Sequence, residues 1–229
     1  MPYKKGLRRR RFNRRRRKYR GRRKPYARSN NLKVMRVKGV SSFPDSVFVR
    51  LKYNQRITMT NVLGVGQYVF SVNSVYDPNV TATGHQPLAF DQWATLYSHY
   101  QAQASKINIM VLNPDVNPCS FCVFPSKDST SSLGINGAKE QPFSRYLIFS
   151  GTSAVKFNRI SNYISVRKLE GKGLESINFS ASTSASPSIQ YYWQLIVESV
   201  TGDDISDIYF DVQLVYYVRF FRRKSLSLS

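Results

Sequence analysis

The sequence predicts an all-β protein: an antiparallel sandwich joined to a disordered basic arm. Three observations carry that expectation. After residue 45 apolar and polar residues alternate with a period of two along much of the chain. Only one segment has a convincing helical period. Charge is sharply divided, with 19 Lys and Arg and no acid in residues 1–44, against 12 basic and 13 acidic groups in residues 45–218. Four more cations follow, Arg219, Arg222, Arg223 and Lys224. The division falls at residue 45, with an arm and linker over 1–44 and a body over 45–229, long enough for one well-buried domain.

The arm opens MPYKKGLRRRRFNRRRRKYRGRRKPYAR. Its cations are Lys4, Lys5, Arg8, Arg9, Arg10, Arg11, Arg14, Arg15, Arg16, Arg17, Lys18, Arg20, Arg22, Arg23, Lys24 and Arg28. Like charges at this density repel, and Leu7 with Phe12 is too little apolar surface to offset ordering the backbone. The natural complement is a polyanion, and Arg offers phosphate a planar fork of donors. Tyr3, Phe12, Tyr19 and Tyr26 are interleaved, each able to stack on an unpaired base. A charge run can also be a nuclear-localisation signal, which is compatible with this reading, or a solvated tail or membrane-surface anchor. A mitochondrial presequence shares the Arg excess, but the apolar stripe it needs is missing.

Residues 29–44 are a basic transition. Val47, Val49, Leu51 and Tyr53 then alternate with Phe48, Arg50, Lys52 and Asn54, giving a strand with one polar face. Arg50 and Lys52 are the body residues expected to contact nucleic acid if the arm is not the whole site. Residues 67–75 read as a second strand. Phe90, Trp93, Tyr97 and Tyr100 fall at helical spacing, with Asp91 near the start, which predicts a helix whose stripe packs into the core. Residues 103–112 and 119–124 read as strands; 125–145 is a long Ser/Gly-rich loop, and the apolar run 146–149 has no clear place. Residues 154–157 and 162–169 are weaker strand candidates, followed by a second long loop over 170–188. Both loops are expected to be exterior. Two strong strands close the body, one with Tyr191, Trp193, Leu195 and Val197 on a face, the other with every second residue apolar from Ile208 to Phe220. Eight strand candidates, one short helix and long loops fit the two-sheet, double-Greek-key jelly roll.

The chain offers little to catalysis, and no enzyme is expected. Cys119 and Cys122 stand at C-x-x-C spacing, but on a strand residues i and i+3 point to opposite faces. No second pair completes a zinc site, and the only histidines are His85 and His99. Asp203, Asp204 and Asp207 read as a solvated turn before a metal site. No cofactor or metal is expected. No apolar run approaches the ~18 residues of a membrane span. Two cysteines make no disulfide framework, so the setting expected is reducing and intracellular, and the sequons at Asn79 and Asn178 are expected to be idle.

The basic opening, Gly84-His85-Gln86-Pro87 leading to Phe90-Asp91-Gln92-Trp93 with Leu96-Tyr97 and Tyr100, and Ser105-Lys106-Ile107 carry a family resemblance. So do the stretch from Asn162-Tyr163 to Leu169-Glu170-Gly171 and the closing aromatic strand. Together they resemble the capsid proteins of circular Rep-encoding single-stranded DNA viruses, the circovirus-like group. The resemblance implies a jelly roll, self-assembly into a small icosahedral shell of roughly 60 copies, packaging of circular single-stranded DNA and nuclear import. It implies as partners the protein itself, the viral DNA, the host import machinery and an unknown host receptor, with no membrane, and as locations the virion and host nucleus. Sixty such arms would bring on the order of a thousand positive charges, comparable to the phosphates of a small genome. That magnitude does not separate DNA from RNA. A capsid protein of a small single-stranded RNA satellite or plant virus, or a non-viral nucleic-acid-binding sandwich, remains open on the residues alone.

Overall fold

Two long strands, β1 (Ser46–Asn61) and β9 (Ile205–Arg223), pair antiparallel from Ser46 opposite Phe221 to Asn61 opposite Ile205. Their alternation is the reason they form. On β1 Val47, Leu51, Tyr53, Ile57 and Met59 are buried, while Phe48, Arg50, Lys52, Asn54 and Arg56 are exposed. On β9 Ile208, Phe210, Val212, Leu214, Tyr216, Val218 and Phe220 all turn inward, as their spacing predicts. A computed structural model of the chain describes residues 44–61, 64–81, 84–150, 158–171 and 177–225. The basic arm and most of its linker, residues 1–43, lie outside these, as does the strand candidate 154–157.

The remaining strands are β2 (Gly66–Ser71), β3 (Tyr97–Leu112), β4 (Cys119–Ser126), β5 (Arg145–Phe149), β6 (Asn158–Ser165), the two-residue β7 (Ala181–Ser182) and β8 (Tyr192–Ser199). One sheet runs β1-β9-β3-β6, with β7 added to β3, and the other β2-β8-β4-β5. Every pairing is antiparallel. Of these nine strands, the eight on the two four-strand paths interleave between the sheets in the order of the jelly roll expected from the sequence.

The inner faces close on one core. Trp193 of β8 is fully buried and donates its indole N–H to Ser105 Oγ of β3 at 3.0 Å, a polar tie between the sheets. Tyr216 likewise donates to the Ser71 carbonyl at 2.7 Å. Each buried aromatic thus keeps its polar tip satisfied, as a buried donor must be. The cysteines divide as strand geometry requires: Cys119 joins the central core, and Cys122 a second cluster outside the sheet with Phe124, Ile196, Ile135 and Ala138. Burial pushes each thiol up to about 11. Asn79, the first sequon residue, is buried and donates its amide to Gln55 and Tyr68.

Several local expectations are corrected. The helix α1 spans only Phe90–Leu96. Tyr97 and Tyr100 instead belong to β3, because Tyr97 pairs with Arg223 and the chain leaves the helix to form the ladder. The four aromatics still share one environment, grouped round Phe220. The unplaced run 146–149 is in strand β5, an edge strand whose Tyr146 and Ile148 are exposed, so no alternation betrays it. The second strand ends at Ser71, and Val72–Val75 is buried without being a strand. The segment 162–169 is strand only to Ser165; Ser165 then caps α3 (Val166–Glu170) by accepting from Lys168 N, and Gly171 ends it at φ 72°. The loop 125–145 is not free either. It holds α2 (Ile135–Glu140), which lays Ile135 and Ala138 on the smaller sheet and receives Glu198 Oε2 on Ile135 N at 2.8 Å.

Candidate nucleic-acid interface

Six of the body's cations stand on the outward face of the larger sheet. Pairing register sets its side chains in rows across the strands. One row is Arg50, Tyr217 and Ala104; the next is Lys52, Val215, Lys106 and Tyr163. Then come Asn54, Gln213, Asn108 and Ser161, and then Arg56, Asp211, Met110 and Arg159. Arg219 lies in the row of Phe48, one step beyond Arg50. Successive rows are about 7 Å apart, two residues along a strand. Six cations therefore share these rows with a single acid, Asp211.

Aromatic rings are interleaved with the charges. Tyr163 and Tyr217 meet edge to face at 5.9 Å, and Phe48, Tyr163 and Tyr209 are exposed. Cations beside exposed rings are what a single strand engages, phosphate to guanidinium and base to ring. At one margin His99 has Ser98 Oγ at Nδ1 and Arg222 at Nε2, at 3.0 and 3.1 Å. Burial, and then the Arg222 charge, hold its pKa below the ordinary value, so near neutral pH it is uncharged and accepts from Arg222. Arg223 and Lys224 are tied down, Arg223 facing Asp45 at 3.9 Å and Lys224 Nζ donating to the Ala94 carbonyl at 2.7 Å.

The other outward face differs. Leu133, Ile135 and Ala138 cover Cys122, Phe124 and Ile196 of the smaller sheet. Gln194 donates to the Asp128 carbonyl at 2.6 Å and helps hold the covering segment down.

Of the residues singled out from sequence, Arg50 and Lys52 are exposed on β1 in adjacent rows. The arm cations and Tyr3, Phe12, Tyr19 and Tyr26 lie outside the described residues. Sequence reading missed Arg56, Lys106, Arg159 and Arg219 as members of one surface. Their signal was present only in part: each sits on the polar face of an alternating segment, but the register joining those faces is not written in any one segment. Asp203 accepts from the Thr201 hydroxyl at 2.7 Å in the β8–β9 turn. No helix among the described residues is long and apolar enough to cross a membrane.

No family model matches the chain, and no curated protein does. Solved structures do. The mud crab tombus-like virus structure is 10% identical, with 83% of this chain and 96% of that one covered at a TM-score of 0.50. The semi-empty virus-like particle of the nodavirus of the giant freshwater prawn Macrobrachium rosenbergii is 12% identical, over 83% and 100%, at 0.47. The 60-mer BFDV capsid protein is 11% identical, over 82% and 100%, at 0.44. The first of these likenesses shows a shared fold, the jelly roll.

Proposed function

We propose that this chain is a viral capsid protein. It self-assembles into a small icosahedral shell and packages circular single-stranded DNA through its Arg-rich arm, which also serves as a nuclear-localisation signal. The observation that carries this reading is the two-sidedness of the body. One outward face sets six cations and a single acid among exposed rings, and the other is covered by the segment bearing α2, where Lys127 and Lys139 are matched by Asp128 and Glu140. In sequence the arm and its linker precede β1, the strand that bears Arg50, Lys52 and Arg56. The arm by its composition and the basic face by its register each suit a polyanion, which in a closed shell lies on the lumen side. The nearly neutral net charge of residues 45–218 lets copies approach one another without strong repulsion.

The test is purification of the full-length protein, electron microscopy, and extraction of nucleic acid after nuclease treatment. Closed shells containing protected circular single-stranded DNA are expected. Shells protecting RNA would make this the capsid protein of a single-stranded RNA virus. Binding of nucleic acid without shells would make it a nucleic-acid-binding sandwich of another kind.

A further inference from the structure

The basic face contains one residue that phosphate binding does not explain. Asp211 is the only acid in the five rows from Phe48 to Arg56, and it repels any phosphate that Arg56 or Arg159 attracts. No ion pair ties it to them, since neither guanidinium approaches its carboxylate within 4.0 Å. Its immediate cross-strand neighbours are Arg56 on β1 and Met110 on β3, with Arg159 next on β6.

Asp211 lines a hollow of about 340 Å³ with Arg56, Met110, Leu112 and Tyr209, within the size range of small-ligand clefts. Met110, Leu112 and Tyr209 are each about two-fifths exposed there, an apolar wall beside charged groups. A second hollow adjoins it, sharing Asp211 and Met110 and adding Arg159 and Asn108. Gln213 is locked between them, donating to Asn54 Oδ1 at 3.0 Å and accepting from Asn108 Nδ2 at 3.3 Å. Asn108 is nine-tenths buried, and its Oδ1 has no hydrogen-bond partner.

We propose that this hollow is a nucleobase site that selects guanine from a single strand lying on the basic face. Guanine is the base whose pairing edge places an N1–H beside an N2 amino group, two donors matched to the two oxygens of one carboxylate. Its O6 and N7 are acceptors for a guanidinium, the pairing by which Arg reads guanine elsewhere. Asp211 takes the first edge and Arg56, which lines the same hollow, the second, with Tyr209 and Met110 against the ring face. Thymine has one imino donor and no amino group, so it leaves the carboxylate unsatisfied. The inference rests on the packaging reading above and adds base selection to it.

The test uses full-length protein and two labelled oligonucleotides of about 20 nucleotides, alternating dG/dT and all dT, read by fluorescence anisotropy. Measurement at about 0.5 M salt suppresses the contribution of the arm. The dG/dT strand is expected to bind roughly tenfold more tightly than the all-dT strand. Asp211→Asn should erase that preference while leaving or improving dT binding, because a repelling charge is gone. Arg56→Gln should weaken dG/dT binding more than dT binding and guards against an artefact of the first variant. Equal affinity of wild type for both strands, or a preference that survives Asp211→Asn, would overturn the base site while leaving packaging intact. Failure of wild type to bind either strand even at low salt would overturn the packaging reading itself.

Discussion

Phe220 stacks on Trp93 at 6.1 Å between ring centroids, with the planes 25° apart. Phe90, Tyr97 and Tyr100 stand round the same ring at 5.9, 6.4 and 6.4 Å. One residue near the end of the chain thereby gathers a short helix and the first turn-in of β3. The contact explains why aromatics at helical spacing are kept together although the helix stops at Leu96.

Phe220→Ala should therefore destabilise the body by about 3–5 kcal/mol, the usual loss for a buried aromatic that leaves a cavity. Phe221→Ala, on the outward face, should cost far less. Denaturant unfolding of the unassembled protein compares the two, and equal losses would contradict the hub.

Glu198 and α2 give a second expectation. The carboxylate accepts from Ile135 N and holds the covering segment to the smaller sheet. Glu198→Ala should cost about 1.5–3 kcal/mol, as for a hydrogen bond to a charged group. It should also raise hydrogen exchange over residues 133–140, with little change in β1 or β9. Uniformly faster exchange would mean the carboxylate supports the whole body instead.

Alkaline pH should loosen the protein in a defined window. Burial raises Cys119 and Cys122 from 9.0 to about 11, and Tyr53 and Tyr191 from 10.0 to about 12. These groups are neutral when protonated, so the folded state holds its protons longer than the unfolded one. Their contribution is complete below pH 9 and is lost as pH rises towards 12. Stability should be flat with respect to these groups at neutral pH and fall through that interval. Native thiols should resist alkylation at pH 8 and react fully once the chain is unfolded. Rapid labelling of the folded protein would show that one cysteine is not buried.

Salt dependence should separate arm from face. Deleting residues 1–28 removes sixteen cations and should collapse single-strand affinity, with the slope of log affinity against log salt falling by about 0.7 per lost contact. The triple change Arg50→Glu, Lys52→Glu and Lys106→Glu should weaken binding by less, with a smaller change in slope. If the arm-deleted protein keeps its affinity and slope, the site lies wholly on the folded face.

The sequence by itself determined the sandwich, the inward faces of β1, β8 and β9, and the opposite fates of the two cysteines. Strand period is local: one buried face writes itself into every second residue, whatever the partner strand is. It also made Arg50 and Lys52 legible, since both stand on one strand. What only the tertiary structure decided is non-local. Tyr97 could continue a helix or begin a ladder, and pairing with Arg223 chose the ladder. The 125–145 segment looked like free loop until the outer face of the smaller sheet supplied Cys122, Phe124 and Ile196 for Ile135 and Ala138 to cover. The basic face with its lone Asp211 is assembled from four strands far apart in the chain, in a register set by hydrogen bonds between them. Alternation says which way a side chain points, and only register says which charge stands beside it.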